Sequence, residues 1–294
     1  MSLKSFPIPR RYPRMTKTKK SGFWGSVAAM PHAVWCVLFI LAPLAFIFYF
    51  ALTDVNGAFT TANIEKLFDK VYLDVFANSF VIAIEATAVC LLLAYPLAYF
   101  ISRSKPRTQS VMAVLIMLPM WVNFLIRTYS LKIIFENNGI LNALLGVFGI
   151  SPVHFLNSNV TIIIGMVYNF LPYMVLPIYS VMTKIDTRLL EAAGDLGCNG
   201  AKTLTKVIFP LSVSGVISGI TMVFVPSIST FFISQSLSDG RIKLIGDVIE
   251  QNFNLATTAS YNIGSALSMV LMILILISML VMNKLGEDDG GVIV

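Results

Sequence analysis

Six stretches of this chain are apolar for about 20 residues or more, at 31–52, 76–101, 110–130, 160–183, 211–235 and 262–283. A helix rises about 1.5 Å per residue and a bilayer's hydrocarbon core is about 30 Å thick, so each stretch is long enough to cross it. In lipid a spanning backbone must satisfy its own N–H and C=O groups, which a helix does within one segment. The expected fold class is therefore an all-α integral membrane protein with six transmembrane helices. Composition agrees: 56% of the residues are hydrophobic and 12% charged, where a soluble domain carries about 25% charged residues.

The net charge of +6 is not a nucleic-acid footprint. Residues 1–30 hold Lys4, Arg10, Arg11, Arg14, Lys17, Lys19 and Lys20 without one acid, the pattern of a tail lying near anionic lipid. The first apolar stretch is longer than a signal peptide's and reads as an uncleaved anchor. The expected organisation is a basic tail over 1–30, a peripheral helix over 31–52 and a core over 75–285. Orientation follows from Lys and Arg in alternate loops. One side holds the tail, Arg103, Lys105, Arg107, Lys184, Arg188, Lys202, Lys206 and Lys284. The other, with the ends of its flanking spans, holds Lys66, Lys70, Arg127, Lys132, Arg241 and Lys243. Fifteen against six places both termini and the 184–210 loop in the cytoplasm.

That loop is polar and rich in small residues. Asp186 or Thr187 can cap a helix of good formers, Arg188 to Ala193. Gly194 weakens it, Gly197 can end it, Asn199 can cap a second short helix through Lys206, and Pro210 marks the start of the next span. Leu189, Leu190, Ala193 and Leu196 give the first helix one apolar face, and an apolar face on an exposed loop points to a protein partner.

The spacing Glu191-Ala192-Ala193, three residues, Gly197, nine residues, Val207, one residue, Phe209-Pro210 resembles the EAA signature of ABC importer membrane subunits. Val207 and Phe209 stand where that signature has Ile and Leu. Residues 118–135 and 165–179 resemble the spermidine/putrescine permeases of the PotB type. The resemblance covers roughly residues 75–285. It implies a type I ABC importer permease fold in the cell membrane of a prokaryote. It implies a second, PotC-like permease subunit, two PotA-like ATPase subunits that hold the ATP and Mg, and an external PotD-like binding protein delivering polyamine. This chain would hold no cofactor. The loop then supplies the ATPase-coupling residues: Leu190, Glu191, Ala192, Ala193, Asp195, Gly197 and Pro210. Relatives for iron, sulfate or phosphate share the loop signature, so the substrate class rests on the third and fourth spans.

Within the spans, Glu85 is a costly mid-membrane carboxylate. Three readings fit it: a cation contact in the substrate pathway, a hydrogen bond to a neighbouring helix, or a position shallow enough for the carboxylate to snorkel to the interface. Pro119 can kink the third span, after which Trp121, Asn123, Arg127 and Tyr129 form either an interfacial belt or part of the pathway. Asn123 and Arg127 lie one helical turn apart. Pro172 and Pro177 make the fourth span irregular, and Tyr168 and Tyr173 offer aromatic faces to a polycation. Gly215 and Gly219 in the fifth span permit close contact with a helix of this chain or of a second permease subunit. Pro226 is expected to break that span, and Gln235 beyond it is a further candidate polyamine contact. Within the outer segment 131–159, the apolar run Gly139 to Leu145 is too short to span and is expected to lie at the interface or against a partner.

No residues carry an enzymatic reading. Phosphate binding by a Walker A loop needs Gly, four residues, then Gly-Lys-Ser/Thr; Gly197 to Thr203 places Ala201 between Gly200 and Lys202. Cys36, Cys90 and Cys198 are far apart, and His32 and His154 lack ligand neighbours, so no metal role is expected. A self-sufficient channel or ion-coupled transporter is the second function class; it calls for more intramembrane ionisable groups than one Glu.

Overall fold

The computed structural model describes residues 23–290, and side chains within 30–284. The basic residues Lys4 to Lys20 lie outside the described residues. The chain divides at Phe46: the first unit is helical over its described part, and the second, from Ile47, holds everything else. Five helices are long and apolar enough to cross a membrane, or six if one bent pair forms a single span.

Helix α1 covers residues 23–51, its apolar span lying within Met30–Ala51, and α2 covers Lys70–Ser102. Next come α3 (Pro106–Trp121), α4 (Phe124–Phe135) and α5 (Ile140–Val147). Helix α6 is Asn159–Met182, α7 Thr187–Asp195 and α8 Gly200–Ser229. Two short helices, α9 (Phe232–Ser238) and α10 (Ile245–Asn254), precede α11 (Thr258–Gly290).

Prolines shape these helices in two ways. A proline lacks the N–H, and its ring collides with the carbonyl four residues back. Ahead of Pro43 and Pro210 the helix answers with one wide turn, over Val37–Leu41 and Leu204–Ile208. The residue before each proline donates five residues back, Ala42 to Val37 and Phe209 to Leu204. The expected separate helix ending near Lys206 therefore does not occur: α8 runs unbroken from the loop into the span. Pro226 likewise stays inside α8. Ser227 and Ser229 hydroxyls donate to the carbonyls of Val223 and Val225, so side chains bond the last turns. The break comes at Thr230, whose extended backbone ends the helix.

The expected third span, 110–130, is two helices. The break is at Val122-Asn123, past Pro119, and the chain turns by 88° there. Asn123 causes it: its side-chain oxygen accepts from Leu125 N–H at 2.9 Å and Ile126 N–H at 3.4 Å, starting α4.

Helices α2, α6 and α8 form the central packing. Ala86, Cys90, Ala94 and Ala98 of α2 meet Met166, Met174, Ile178 and Met182 of α6, and Val216 and Val223 of α8. A second cluster joins Phe224 and Ile228 of α8 to Ile245 of α10 and Ala266, Leu267 and Leu271 of α11. Between helices in lipid, close fit replaces the hydrophobic drive of water. At the α6–α8 crossing the fit is set by two glycines. A Cβ on Gly219 would lie 2.7 Å from Met174 Sδ and 3.1 Å from its carbonyl oxygen; one on Gly215 would lie 3.0 Å from the Pro177 carbonyl oxygen. The Gly215-Gly219 pair thus serves a contact inside this chain. Gly219→Val should destabilise the detergent-solubilised protein by about 1–3 kcal/mol through overpacking, read as a lowered thermal midpoint. Ser218→Val, on the exposed side of the same helix, should leave the midpoint in place.

Candidate functional site

The 184–210 loop is built by local hydrogen bonds. The Asp186 carboxylate accepts from Arg188 N–H at 3.0 Å and starts α7. Two reciprocal bonds end it: Cys198 N–H to Ala193 C=O at 3.0 Å and Gly197 N–H to Gly194 C=O at 2.9 Å. This double closure requires a left-handed residue, and Gly197 has φ +79°. Asn199 then accepts from Lys202 N–H at 2.9 Å and starts α8. Both ends of the 187–195 helix are thereby fixed by residues of the motif region.

The expected single apolar face of α7 divides in two. Leu190 packs against the central core and Ala193 is buried, because α7 rests on the first turns of α8. Leu189 and Leu196 point the other way; Leu196 is 85% exposed. With Ala192 they form an exposed strip at i, i+3 and i+7, and Glu191 and Asp195 are exposed beside it. Pro210 lies at the start of the span proper, after the wide turn.

Between α6 and α8 runs a groove of about 480 Å³, lined by Tyr173, Leu176, Pro177, Ser180, Gly215 and Ser218 among others. Tyr173 and the Ser180 and Ser218 side chains are exposed along it. It is shallow because the glycines bring the two backbones together. Tyr168 is also exposed on α6, five residues before Tyr173. The Arg127 guanidinium carbon lies 5.9 Å from the centre of its ring.

Arg127 is buried and works on the helix break: Nη1 donates to the Pro119 carbonyl at 3.0 Å. Asn123 caps the helix after the same break. Both residues therefore hold the bend in place. Trp121 is largely exposed; Tyr129 is half-exposed and meets Phe232 edge-on at 5.3 Å. Gln235 donates to Glu250 at 3.0 Å, which ties α9 to α10. Glu85 lies on the face of α2 opposite its buried stripe, so the structure does not bring it to the groove.

One buried acid has no role in the sequence reading. The Asp247 carboxylate accepts from Ser234 Oγ at 2.6 Å and Leu244 N–H at 2.7 Å, both at Oδ2, and Oδ1 is buried without a partner. Ile245 N–H donates to Ser79 Oγ at 2.8 Å, binding this knot to α2. Gly246 leaves no space: a Cβ there would lie 2.5 Å from the Ser229 carbonyl oxygen. An acid in the first turn of a short helix was the available signal; the Ser79 and Ser229 contacts are remote in sequence and left none. A Lys132–Asp239 ion pair of 2.7 Å closes the same end of the bundle.

A membrane-spanning bundle with an exposed, doubly capped helix between two spans is the architecture of a transporter's membrane subunit. The family described as "Binding-protein-dependent transport system inner membrane component" matches residues 91–286, and this chain belongs to it. Within that class the chain is similar to the spermidine/putrescine transport system permease protein PotB of Haemophilus influenzae, 36% identical over 82% of this chain and 86% of that one. It is 35% identical to PotB of Escherichia coli K12, over 84% and 92% of the two chains. A crystal structure of a bacterial alginate ABC transporter superposes with a TM-score of 0.76 at 14% identity, covering 92% of this chain and 96% of that one. It shares the fold.

Two measurements probe the local geometry. A Cβ at Gly197 meets no atom within 4 Å, so Gly197→Ala should cost only the left-handed backbone penalty, about 1–2 kcal/mol, read as faster proteolysis of the 184–210 loop. Burial pushes Asp247 from the usual carboxylate range up to about 6, with Glu250 reinforcing and Lys243 opposing it. A raised acid binds its proton more tightly when folded. The ionised form therefore weakens the α9–α10 packing above pH 6, and stability is regained as pH falls from about 6 towards 4. Amide exchange over 232–254, corrected for intrinsic rates, should be slower at pH 5 than at pH 7.5, and Asp247→Asn should flatten the difference.

Proposed function

We propose that this chain is a membrane-spanning subunit of an ATP-driven importer for polyamines, spermidine and putrescine, and forms half of its translocation pathway. The observation that carries the reading is α7: a helix held at both ends, anchored by Leu190 and Ala193, and presenting Leu189, Ala192, Leu196 and Glu191 outwards. A separate ATPase subunit docks on that strip. Two such ATPases bind ATP and Mg, a second permease completes the pathway, and an extracytoplasmic binding protein delivers the substrate. This chain carries no nucleotide site of its own. Both termini and the loop lie in the cytoplasm, as the distribution of Lys and Arg indicates.

In this reading ATP draws the two ATPases together and their motion reaches the spans through α7. Only contacts that differ between the inward-open and outward-open states can drive the change. Glu191, Asp195 and the exposed leucines make the contact; Gly197 and Pro210 set the geometry of the helices behind it.

The polyamine assignment rests on the PotB relatives named above and on the groove. A polycation is held by aromatic faces and hydroxyls, and Tyr173, Ser180 and Ser218 supply them in the groove, with Tyr168 exposed elsewhere on α6. Trp121 and Tyr129 are exposed near the bend at the end of the bundle opposite the loop. The groove residues include no carboxylate, so much of the charge selectivity belongs to the delivery protein and the second permease.

Leu189→Glu with Leu196→Glu places two charges on the docking strip without touching the core. In membranes carrying the whole transporter, this pair should abolish ATPase recovery with the permease and lower ATP-driven uptake of labelled spermidine by at least about tenfold, the size expected when buried charges are left unpaired at an interface. Undiminished uptake would refute the coupling role. Excess unlabelled putrescine should compete with uptake, and sulfate or ferric ion should not.

A further inference from the structure

Glu85 is the only charged residue of α2 between Asp74 and Arg103. It lies fifteen residues from Lys70 and seventeen from Ser102. At 1.5 Å per residue that is more than about 20 Å from either end of the helix, which places it within a hydrocarbon core about 30 Å thick. The buried stripe of α2 runs through Ser79, Ala83, Ala86, Cys90, Ala94 and Ala98. Glu85 faces the other way, among exposed Val81, Ala88, Val89 and Leu92. Among the described residues no ion pair or hydrogen bond reaches its carboxylate.

A carboxylate cannot rest against acyl chains without cost: insertion scales put an acid at a span's centre about 2.5–3.5 kcal/mol uphill. Acids at this depth mostly face protein or water, and a covering helix can offset the cost by donating to the carboxylate. The middle of the first span cannot, since Val37 to Ile47 reads VLFILAPLAFI and has no side-chain donor. The other described spans have their own packing, and lipid tails offer no donor. Ala88, three residues on from Glu85, leaves room on this face for a helix to approach.

We propose that Glu85 is the anchor for a transmembrane helix of the second permease subunit, which brings an Arg, Lys or other N–H or O–H donor to mid-depth. This rests on the two-permease assembly proposed above. It assigns Glu85 to subunit pairing and leaves substrate contact to the α6–α8 groove. The face has the chemistry for this occupant: one unpaired acceptor in an otherwise smooth apolar surface.

The test uses the complete transporter in native membranes, with a photo-crosslinking amino acid at Val89, one turn from Glu85, and separately at Leu196. Position 89 should yield an adduct with the second permease, and position 196 one with the ATPase. Adducts of position 89 with lipid alone, with residues 1–50 of the same chain, or with another copy of this chain would each overturn the proposal. An ATPase adduct at 196 in the same experiment shows that the importer reading stands regardless; loss of both adducts removes that reading too. As a second measurement, Glu85→Leu should lower recovery of the second permease with this chain by about tenfold, because its donor is left unsatisfied. The isolated chain should keep its thermal midpoint, since Glu85 contacts no partner within it. Glu85→Gln, which retains an acceptor oxygen, should restore most of the recovery. Equal recovery for Glu85→Leu and the unaltered chain would overturn the assignment.

Discussion

The close crossing of α6 and α8 governs what the rest of the chain can do. Lipid supplies no hydrophobic drive between helices, so association depends on fit. Gly215 and Gly219 let α8 lie against the backbone of Met174 and Pro177. That contact fixes the two spans that leave the 184–210 loop, and hence the platform on which α7 rests. It also sets the shallow groove carrying Tyr173, Ser180 and Ser218. Loop and groove are therefore consequences of one packing event, and neither is positioned independently.

The two ends of the bundle are built on different principles. At the loop end, short-range caps do the work: Asp186, Gly197 and Asn199 each satisfy backbone groups within a few residues. At the far end, the helices are interrupted and retied by side chains from distant parts of the chain. Asn123 and Arg127 hold the bend between α3 and α4, Ser79 and Asp247 pin the start of α10, and Gln235 joins Glu250. Caps fix both ends of a short exposed helix. The retied breaks place polar groups where continuous helices would have left only apolar surface.

This difference explains how far the sequence could be read. The apolar runs marked the spans well: 31–52 ends one residue past the helix end at Ala51, and 160–183 lies against Asn159–Met182. The capped helix of the loop was legible too, because Asp186, Gly197 and Asn199 act on residues beside them. Which way α7 turns was not: the periodicity grouped Leu189 and Leu196 with Leu190 and Ala193, but the packing of α7 on α8 separated them. The break of the third span was assigned to Pro119, the residue that usually bends helices. It falls at Val122-Asn123, where the Asn123 cap starts the next helix and a buried arginine reaching back to the Pro119 carbonyl holds the turn. The end of the fifth span at Ser229 depends on serine hydroxyls carrying the helix past Pro226. Asp247 left only the weak local sign of an acid in a helix's first turn, because the groups that define its surroundings are far away in sequence.

Helix α8 is 30 residues long without interruption, or about 45 Å from end to end. It starts one residue beyond the Asn199 cap of the loop and stops at the Thr230 break, against which Gly246 is pressed. A displacement applied at the loop meets only two weak points within this rod, the wide turn at Leu204–Ile208 and the turn around Pro226. The push would arrive at the opposite end of the bundle nearly undiminished, at the junction of α8, α9 and α10. That junction, and not the middle of the span, is where a rigid stroke becomes a change of shape.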